Sequence, residues 1–234
     1  MILKEIVEEL AFQLKQRKVI NVCVSPTYTA IILDDQSIGV SHTIIDGEIE
    51  GVGEIVGKNA YEVVINNLDS NLQRSLSLAV LNAIGDIGQF TQGDPISLYS
   101  GNKLCVFGYS PQLTSHNFST VVTYDFGSNE YKKIGNNEIR PFSSLSNEVC
   151  STAIIFGSAL VNNTIDKILS QVSANHMILT GVSSVDSPIT LKTHGFEVIG
   201  KVFPIDKYRV FRIICEGGTN RILNKYMLKY FKKI

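Results

Sequence analysis

The sequence lacks a charge excess and any long hydrophobic run. Its 234 residues hold 21 Lys and Arg against 22 Asp and Glu, for a net charge of −1. Nucleic acids and anionic membranes select proteins with excess positive charge, so this balance argues for no nucleic-acid and no membrane partner. No apolar run approaches the roughly 20 residues of a membrane span. The first 18 residues form an amphipathic, acid-containing helix rather than a signal peptide, so we expect a cytoplasmic protein.

Cysteine and histidine are scarce and scattered along the chain. The cysteines are Cys23, Cys105, Cys150 and Cys215, and no two of them form a C-x-x-C pair. We therefore predict reduced, buried thiols, no disulfide and no four-cysteine zinc site. The histidines are His42, His116, His176 and His194, and their spacing gives no local metal site. His176 is expected in a strand core, whereas His42 and His116 could face a cleft between domains.

Common nucleotide-binding and hydrolase motifs are also missing. The sequence contains no P-loop and no G-x-S-x-G elbow. The glycines of residues 47–57 have the spacing G-x-G-x-x-x-G and follow a turn, unlike a dinucleotide fingerprint. We interpret this segment as a flexible connection.

The first half of the chain predicts an α+β unit with an antiparallel meander. Apolar periodicity gives an opening helix over residues 1–18, then strands, then two closing helices. The expected strands are residues 19–24, 28–33 and 37–41, and the helices are residues 59–66 and 72–87. The Gly- and Pro-containing residues 89–101 predict a linker. We therefore divide the chain into domains at residues 1–95 and 96–234.

The second half alternates between strand and helix patterns. The expected strands are residues 103–107, 120–124, 152–156, 175–180 and 197–202, and residues 206–215 and 219–232 are expected as closing helices. This alternation is typical of a small, parallel, Rossmann-like sheet. The predicted fold class is α/β, with the α+β unit followed by this sheet.

Residues 152–166 are the most informative stretch of the second half. Residues 152–156 form a continuous apolar run typical of a doubly buried strand, which Gly157 ends. A helical stripe over residues 165–172 follows, with Asn163 or Thr164 as N-cap and Asp166 in its first turn. The loop between them lies at the carboxyl end of a strand, where open α/β sheets bind ligands. An ordinary connection that binds nothing explains the stretch equally well.

Three predicted strand ends carry glycine followed by small or hydroxylated residues. Since the carboxyl ends of parallel strands share one edge, we expect these ends to converge on a ligand. Asn82, among small residues of the long helix, would contribute from the first half. The candidate ligand-binding residues are Asn82, Gly108, Tyr109, Asp125, Gly157, Ser158, Asn162, Thr164, Gly181 and Ser183.

Asp125 supports an alternative function. It ends the second strand, 17 positions after Gly108. Rossmann-like domains often place an acid there to bind a ribose hydroxyl, which would indicate an enzyme with a nucleotide or adenosyl cofactor. At the other loop, Asn163 and Thr164 could merely cap their helix.

Several short sequence motifs, taken together, resemble those of a known family. They are Gly57-Lys-Asn-Ala60, Leu78-Ala-Val-Leu-Asn-Ala83, Gly108-Tyr109-x-Pro111, Gly157-Ser-Ala-Leu-Val-Asn-Asn-Thr-Ile-Asp166, Gly181-x-Ser183 with Ser187-Pro188, and Glu216-Gly-Gly-Thr219. The set resembles the putative heavy-metal chelation family, whose members are bacterial and archaeal domains of unknown function. The resemblance implies an enolase N-terminal-like domain, a Rossmann-like domain and a candidate active site between them.

The leading hypothesis is therefore a protein that binds a small molecule, a metal ion or a metal complex in an interdomain cleft. A transition metal is the cofactor that the resemblance suggests. The residues do not assign a catalytic activity. A pure interaction scaffold is a third alternative, and the oligomeric state, including a homo-oligomer, is left open.

Overall fold

The computed structural model describes residues 1–85, 87–108 and 117–234. Its helices are α1 (Ile2–Lys15), α2 (Ala60–Ile65), α3 (Asn71–Ala83), α4 (Ser158–Val161), α5 (Ile165–Gln171), α6 (Pro188–Thr193), α7 (Lys207–Cys215) and α8 (Asn220–Leu223). Its strands are β1 (Val19–Val24), β2 (Tyr28–Leu33), β3 (Ile38–His42), β4 (Thr91–Gln92), β5 (Gly101–Phe107), β6 (Phe118–Asp125), β7 (Lys132–Ile134), β8 (Asn137–Pro141), β9 (Glu148–Phe156), β10 (Val172–Thr180), β11 (Val198–Pro204) and β12 (Met227–Lys233).

The first sheet is the predicted antiparallel meander, in the order β1-β2-β3. Helix α3 packs on one face of β2 and α7 packs on the other, which explains why every residue of β2 is buried. Ser70 and Gln73 form a capping box that fixes the start of α3 by satisfying backbone N–H groups. The meander is therefore held between a helix of its own half and a helix from the far end of the chain.

The second sheet has nine strands in the order β4-β12-β11-β10-β9-β5-β6-β8-β7. Its central pairings, from β11 through β10, β9, β5 and β6 to β8, are all parallel. The pairings at both edges are antiparallel. The predicted α/β class with a mainly parallel sheet is thus confirmed, whereas the division into domains at residue 95 stays a prediction.

The end of the chain is not the predicted helix. Helix α8 spans only Asn220–Leu223, and β12 follows it and pairs antiparallel with β11 from Val198↔Lys233 to Pro204↔Met227. The physical reason is the open edge of β11, whose N–H and C=O groups are satisfied by a neighbouring strand. Tertiary pairing overrides the weak local helical pattern here.

Three smaller features of the structure also differ from the sequence-based expectations. The expected linker contributes β4, which pairs with β12 through Gln92↔Tyr230 and Thr91↔Phe231. The hairpin of β7 and β8 was not predicted, and β8 extends the parallel sheet beyond β6. Helix α5 ends at Gln171, and Val172 already begins β10, because pairing of Val172 with Glu148 of β9 starts the ladder early.

The prediction of four free thiols is wrong. The structure pairs Cys23 with Cys215, with Cα atoms 5.5 Å apart, and Cys105 with Cys150, with Cα atoms 5.9 Å apart. Wide spacing in sequence did not exclude these pairs because the fold brings the segments together. Strands β5 and β9 are adjacent in the sheet, and α7 packs on β1.

Helix α1 connects the first half of the chain to the second. The Glu9 carboxylate accepts hydrogen bonds from Ser187 Oγ and from the backbone N–H groups of Ile189 (3.1 Å) and Thr190 (2.8 Å) at the start of α6. The Glu5 carboxylate lies 2.7 Å from His194 Nε2 at the other end of α6. Within the described ranges, no helix has the length and apolar character needed to cross a membrane.

Candidate functional site

A cavity of about 700 Å³ lies between the two sheets, at the carboxyl ends of the central parallel strands. Strand ends of the large sheet, the start of β2, the end of β3 and the segment from α8 into β12 all contribute to it. It is lined by Tyr28, His42, Ile44, Gly108, Asp125, Phe126, Phe156, Gly157, Ser158, Asn162, Gly181, Val182, Ser183, Val202, Asn220, Asn224, Met227 and Lys229.

The strand ends form one wall, as the topology of a parallel sheet requires. Gly108, Asp125, Gly157 and Gly181 follow or end β5, β6, β9 and β10, respectively. At Gly157 a Cβ atom would collide with the backbone between Ser183 and Ser184, so only glycine permits this approach of the two loops. The strand ends therefore converge, as the sequence predicted for these positions.

The meander forms the opposite wall through Tyr28, His42 and Ile44. The backbone N–H of His42 donates a 2.8 Å hydrogen bond to Ser183 Oγ, which ties β3 directly to the loop after β10. The His42 ring stands edge-on to the Tyr28 ring, with centroids 6.0 Å apart. His42 is open to solvent inside the cavity, but the protein around it removes part of its hydration and lowers its pKa. His42 is therefore neutral near pH 7 and can donate or accept one hydrogen bond.

A third wall comes from the end of the chain, and we did not predict it from the sequence. Asn220 and Asn224 of the α8 region and Met227 and Lys229 of β12 line the cavity. Lys229 Nζ lies 2.6 Å from the carboxylate of Asp94, so its charge is already paired. These residues were missed because the sequence pattern predicts a closing helix over residues 219–232. The available strand signal was the aromatic content of this segment, with Tyr226, Tyr230 and Phe231.

Seven of the ten predicted ligand-binding residues line this cavity, and two of the described ones, Asn82 and Thr164, do not. Asn82 is buried beside it, where its amide nitrogen donates to the carbonyl oxygens of Val40 and Val182, both at 2.9 Å. Thr164 donates a hydrogen bond to Asn162 and does not itself line the cavity. Tyr109 falls outside the described residues, as does His116. Asn82 thus holds α3 against the cavity wall instead of lining it.

Asn162 has a structural contact as well as a place in the cavity wall. Its Oδ1 atom accepts hydrogen bonds from the Thr164 hydroxyl (2.6 Å) and from the Thr164 backbone N–H (3.3 Å). Thr164 itself makes no side-chain cap of α5, although it occupies the N-cap position. Thr164 therefore does not cap α5 through its side chain, and Asn162 both orders the turn before α5 and lines the cavity.

Among the residues that the structure describes, the cavity offers a metal ion no preformed set of ligands. Within the described part of the chain, three His, Cys, Asp or Glu residues come close enough to share an ion only at Cys105, Glu148 and Cys150. These residues are in the sheet and are not among the residues that line the cavity. The sulfur atoms of Cys105 and Cys150 are bonded to each other, so the group could bind a metal ion only after reduction of this disulfide.

Two family models together cover most of the chain. The DUF364 model matches residues 94–233 and the DUF4213 model matches residues 7–85, and both carry the description putative heavy-metal chelation. A DUF364 protein of unknown function from Desulfitobacterium hafniense is 18% identical, with a TM-score of 0.78 over 98% of each chain. One from Pyrococcus horikoshii is 16% identical, with a TM-score of 0.79 over 100% of each chain. At these identities the likeness is one of fold. No curated protein matches the sequence.

Proposed function

Because this chain belongs to the putative heavy-metal chelation family, we propose that it binds a small molecule, free or as a metal complex, in the cavity between its two sheets. The observation that carries the proposal is the cavity itself, with a volume of about 700 Å³ and walls from both halves of the chain. Sites for small organic ligands typically span about 300–1,000 Å³ and combine apolar walls with a few convergent polar groups.

The side chains around the cavity favour an organic ligand with hydrogen-bonding groups and a flat or apolar part. The amides of Asn162, Asn220 and Asn224 supply both donors and acceptors. Phe126 and Phe156 supply aromatic surface, which packs well against planar groups. The amides can orient a ligand while the rings provide contact area.

A metal ion would enter this cavity as part of a complex. Bare transition-metal ions need several convergent thiolate, imidazole or carboxylate ligands. The cavity presents His42 and Asp125 but no group of three such residues within the described ranges. A metal complex brings most of its own ligands, and its organic part can use the amides and rings.

A nucleotide or adenosyl cofactor is the second candidate, and Asp125 supports it. Asp125 ends β6, beside Gly108 at the end of β5, and both residues line the cavity. The Asp125 Oδ1 atom accepts a 3.2 Å hydrogen bond from the backbone N–H of Gly127, which orients the carboxylate. A carboxylate held at this strand end can accept hydrogen bonds from ribose hydroxyls.

A matched pair of variants tests the cavity. Asn162→Ala removes a cavity amide and the bonds to Thr164, and Asn163→Ala alters its exposed neighbour, which has a φ of 57°. Each should lower stability by about 1 kcal/mol, the first through the lost turn contacts and the second through left-handed strain. We expect only Asn162→Ala to reduce retention of the co-purifying molecule, by about tenfold or more, equivalent to ~1.4 kcal/mol.

Native mass spectrometry of the purified chain, before and after denaturation, measures that retention. An adenine-containing molecule whose retention falls in Asp125→Asn would favour the nucleotide alternative. Equal retention in Asn162→Ala and Asn163→Ala would contradict the cavity site. A chain that carries no small molecule and takes up none from a metabolite extract would contradict the binding function.

A further inference from the structure

Cys105, Glu148 and Cys150 form a buried group on strands β5 and β9, separate from the cavity. Their ligand atoms all lie within 4.8 Å of one another. Cys105 is 0%, Glu148 8% and Cys150 4% exposed. Burying the charge of the Glu148 carboxylate is costly unless partners compensate for it.

The partners of Glu148 keep its carboxylate charged. Lys103 Nζ contacts one carboxylate oxygen and the Tyr124 hydroxyl donates to the other, while Arg140 Nη1 lies 3.6 Å away. These contacts from Lys103, Tyr124 and Arg140 hold the Glu148 carboxylate in one position.

Glu148 still has acceptor capacity for a cation. An ionised carboxylate has about four lone-pair positions on its two oxygen atoms. Lys103 and Tyr124 take one position on each oxygen, which leaves one on each for a further ligand interaction. Carboxylates and imidazoles that bind metals are usually held by such outer hydrogen bonds.

We propose that, after reduction, Cys105, Cys150 and Glu148 bind one thiophilic divalent cation such as Zn²⁺ or Cd²⁺. In the reduction, the disulfide takes two electrons and two protons from a dithiol reductant, which becomes a disulfide. Binding the cation then forms two metal–sulfur bonds and releases the two thiol protons to solvent. The site is thus closed to metal when oxidised and open when reduced, since only a thiolate ligates.

Lys103 and Arg140 bring two positive charges to Glu148, so the local charge without a cation is not strongly negative. The competing interpretation is a plain structural crosslink beside a buried ion pair, which would bind no metal in either redox state.

The second cysteine pair is a natural control. Cys23 and Cys215 join β1 to the end of α7, and neither belongs to a group of three metal-ligating residues within the described chain. A double variant, Cys23→Ser with Cys215→Ser, leaves only the proposed pair. Any two-sulfur metal site in that variant must consist of Cys105 and Cys150, and the core pair itself is not mutated.

The experiment titrates Cd²⁺ into this double variant after reduction and removal of the reductant under anaerobic conditions. Thiolate-to-Cd²⁺ charge-transfer absorption, ¹¹³Cd NMR and proton release report the site. We expect one Cd²⁺ per chain with two sulfur ligands and release of two protons, and no such signal from the oxidised protein. Glu148→Gln in the same background should weaken Cd²⁺ binding by at least about tenfold.

Several results would overturn the proposal. One is a reduced double variant that binds no Cd²⁺ with sulfur ligands. Another is equal Cd²⁺ binding by the oxidised and reduced proteins, which would place the ion elsewhere. An unchanged Cd²⁺ affinity in Glu148→Gln would show that the Glu148 carboxylate is not a ligand. None of these outcomes depends on the cavity, so the proposed small-molecule function stands or falls separately.

Discussion

Replacing Glu9 with glutamine tests how α1 holds the start of α6. Glu9 accepts three hydrogen bonds there, from Ser187 Oγ and from the N–H groups of Ile189 and Thr190. Glutamine keeps the size of the side chain but loses the charge and one acceptor atom. Hydrogen bonds to charged groups contribute about 1.5–3 kcal/mol, and Glu9 is only half-buried, so we expect a loss of about 1–2 kcal/mol at pH 7.

The pKa of Glu9 determines how this loss of stability depends on pH. Burial alone raises the pKa of Glu9, but the hydrogen bonds from Ser187, Thr190 and Ile189 outweigh it, and the net pKa is lowered. A carboxyl group with a lowered folded-state pKa stabilises the protein above its unfolded pKa, about 4.3. That stability is lost as pH falls through the folded pKa. The difference between wild type and Glu9→Gln should be full at pH 7 and shrink below roughly pH 4.

Urea denaturation across this pH range measures the difference. In thermal unfolding a loss of about 1–2 kcal/mol corresponds to a decrease in Tm of roughly 2–8 °C for a chain of this size. Glu8→Gln, which removes the same charge from an exposed neighbour, is the matched control and should be nearly neutral. A Glu9→Gln deficit that is equal to that of Glu8→Gln, or that stays constant at acid pH, would refute the reasoning.

Three further predictions follow from single contacts. Gly39→Ala should cost about 1–3 kcal/mol, because its Cβ would collide with the backbone of α3, whereas Gly127→Ala meets only ordinary contacts and should be near neutral in the same urea assay. Cys215→Ser should destabilise the oxidised protein by about 2–5 kcal/mol through loss of the crosslink to Cys23 and should have little effect under reducing conditions. Burial and the Glu148 contact raise the pKa of Tyr124 to about 12, so the spectrophotometric difference between wild type and Tyr124→Phe should titrate near pH 12 and not near 10.

Local patterns in the sequence determined the elements whose formation depends on neighbours along the chain. The first two strands have the predicted bounds, Val19–Val24 and Tyr28–Leu33, and the amphipathic opening helix appears as α1. Continuous apolar runs predicted the central parallel strands because strands covered on both faces exclude polar residues. Because the carboxyl ends of parallel strands share one edge of the sheet, the sequence also predicted that Gly108, Gly157 and Gly181 lie close together, and all three line the cavity.

The sequence also predicted part of the candidate site for a topological reason. Residues at strand ends of a parallel sheet share an edge whatever their separation along the chain. The sequence could not predict that Tyr28 and Met227 line the cavity, because their positions depend on how the meander and β12 pack against that edge. Asn82 was placed near the site, but its hydrogen bonds to Val40 and Val182 depend on distances that no periodicity contains.

Tertiary structure alone decided the end of the chain and the cysteine pairs. Residues 227–233 carry a pattern compatible with helix or strand, and the free edge of β11 selected the strand because its backbone groups needed partners. Cys23 and Cys215 are 192 positions apart, and they meet only because α7 packs on the face of the meander opposite α3. Propensity is a property of a few consecutive residues, whereas edge pairing and side-chain contact depend on the whole packed chain.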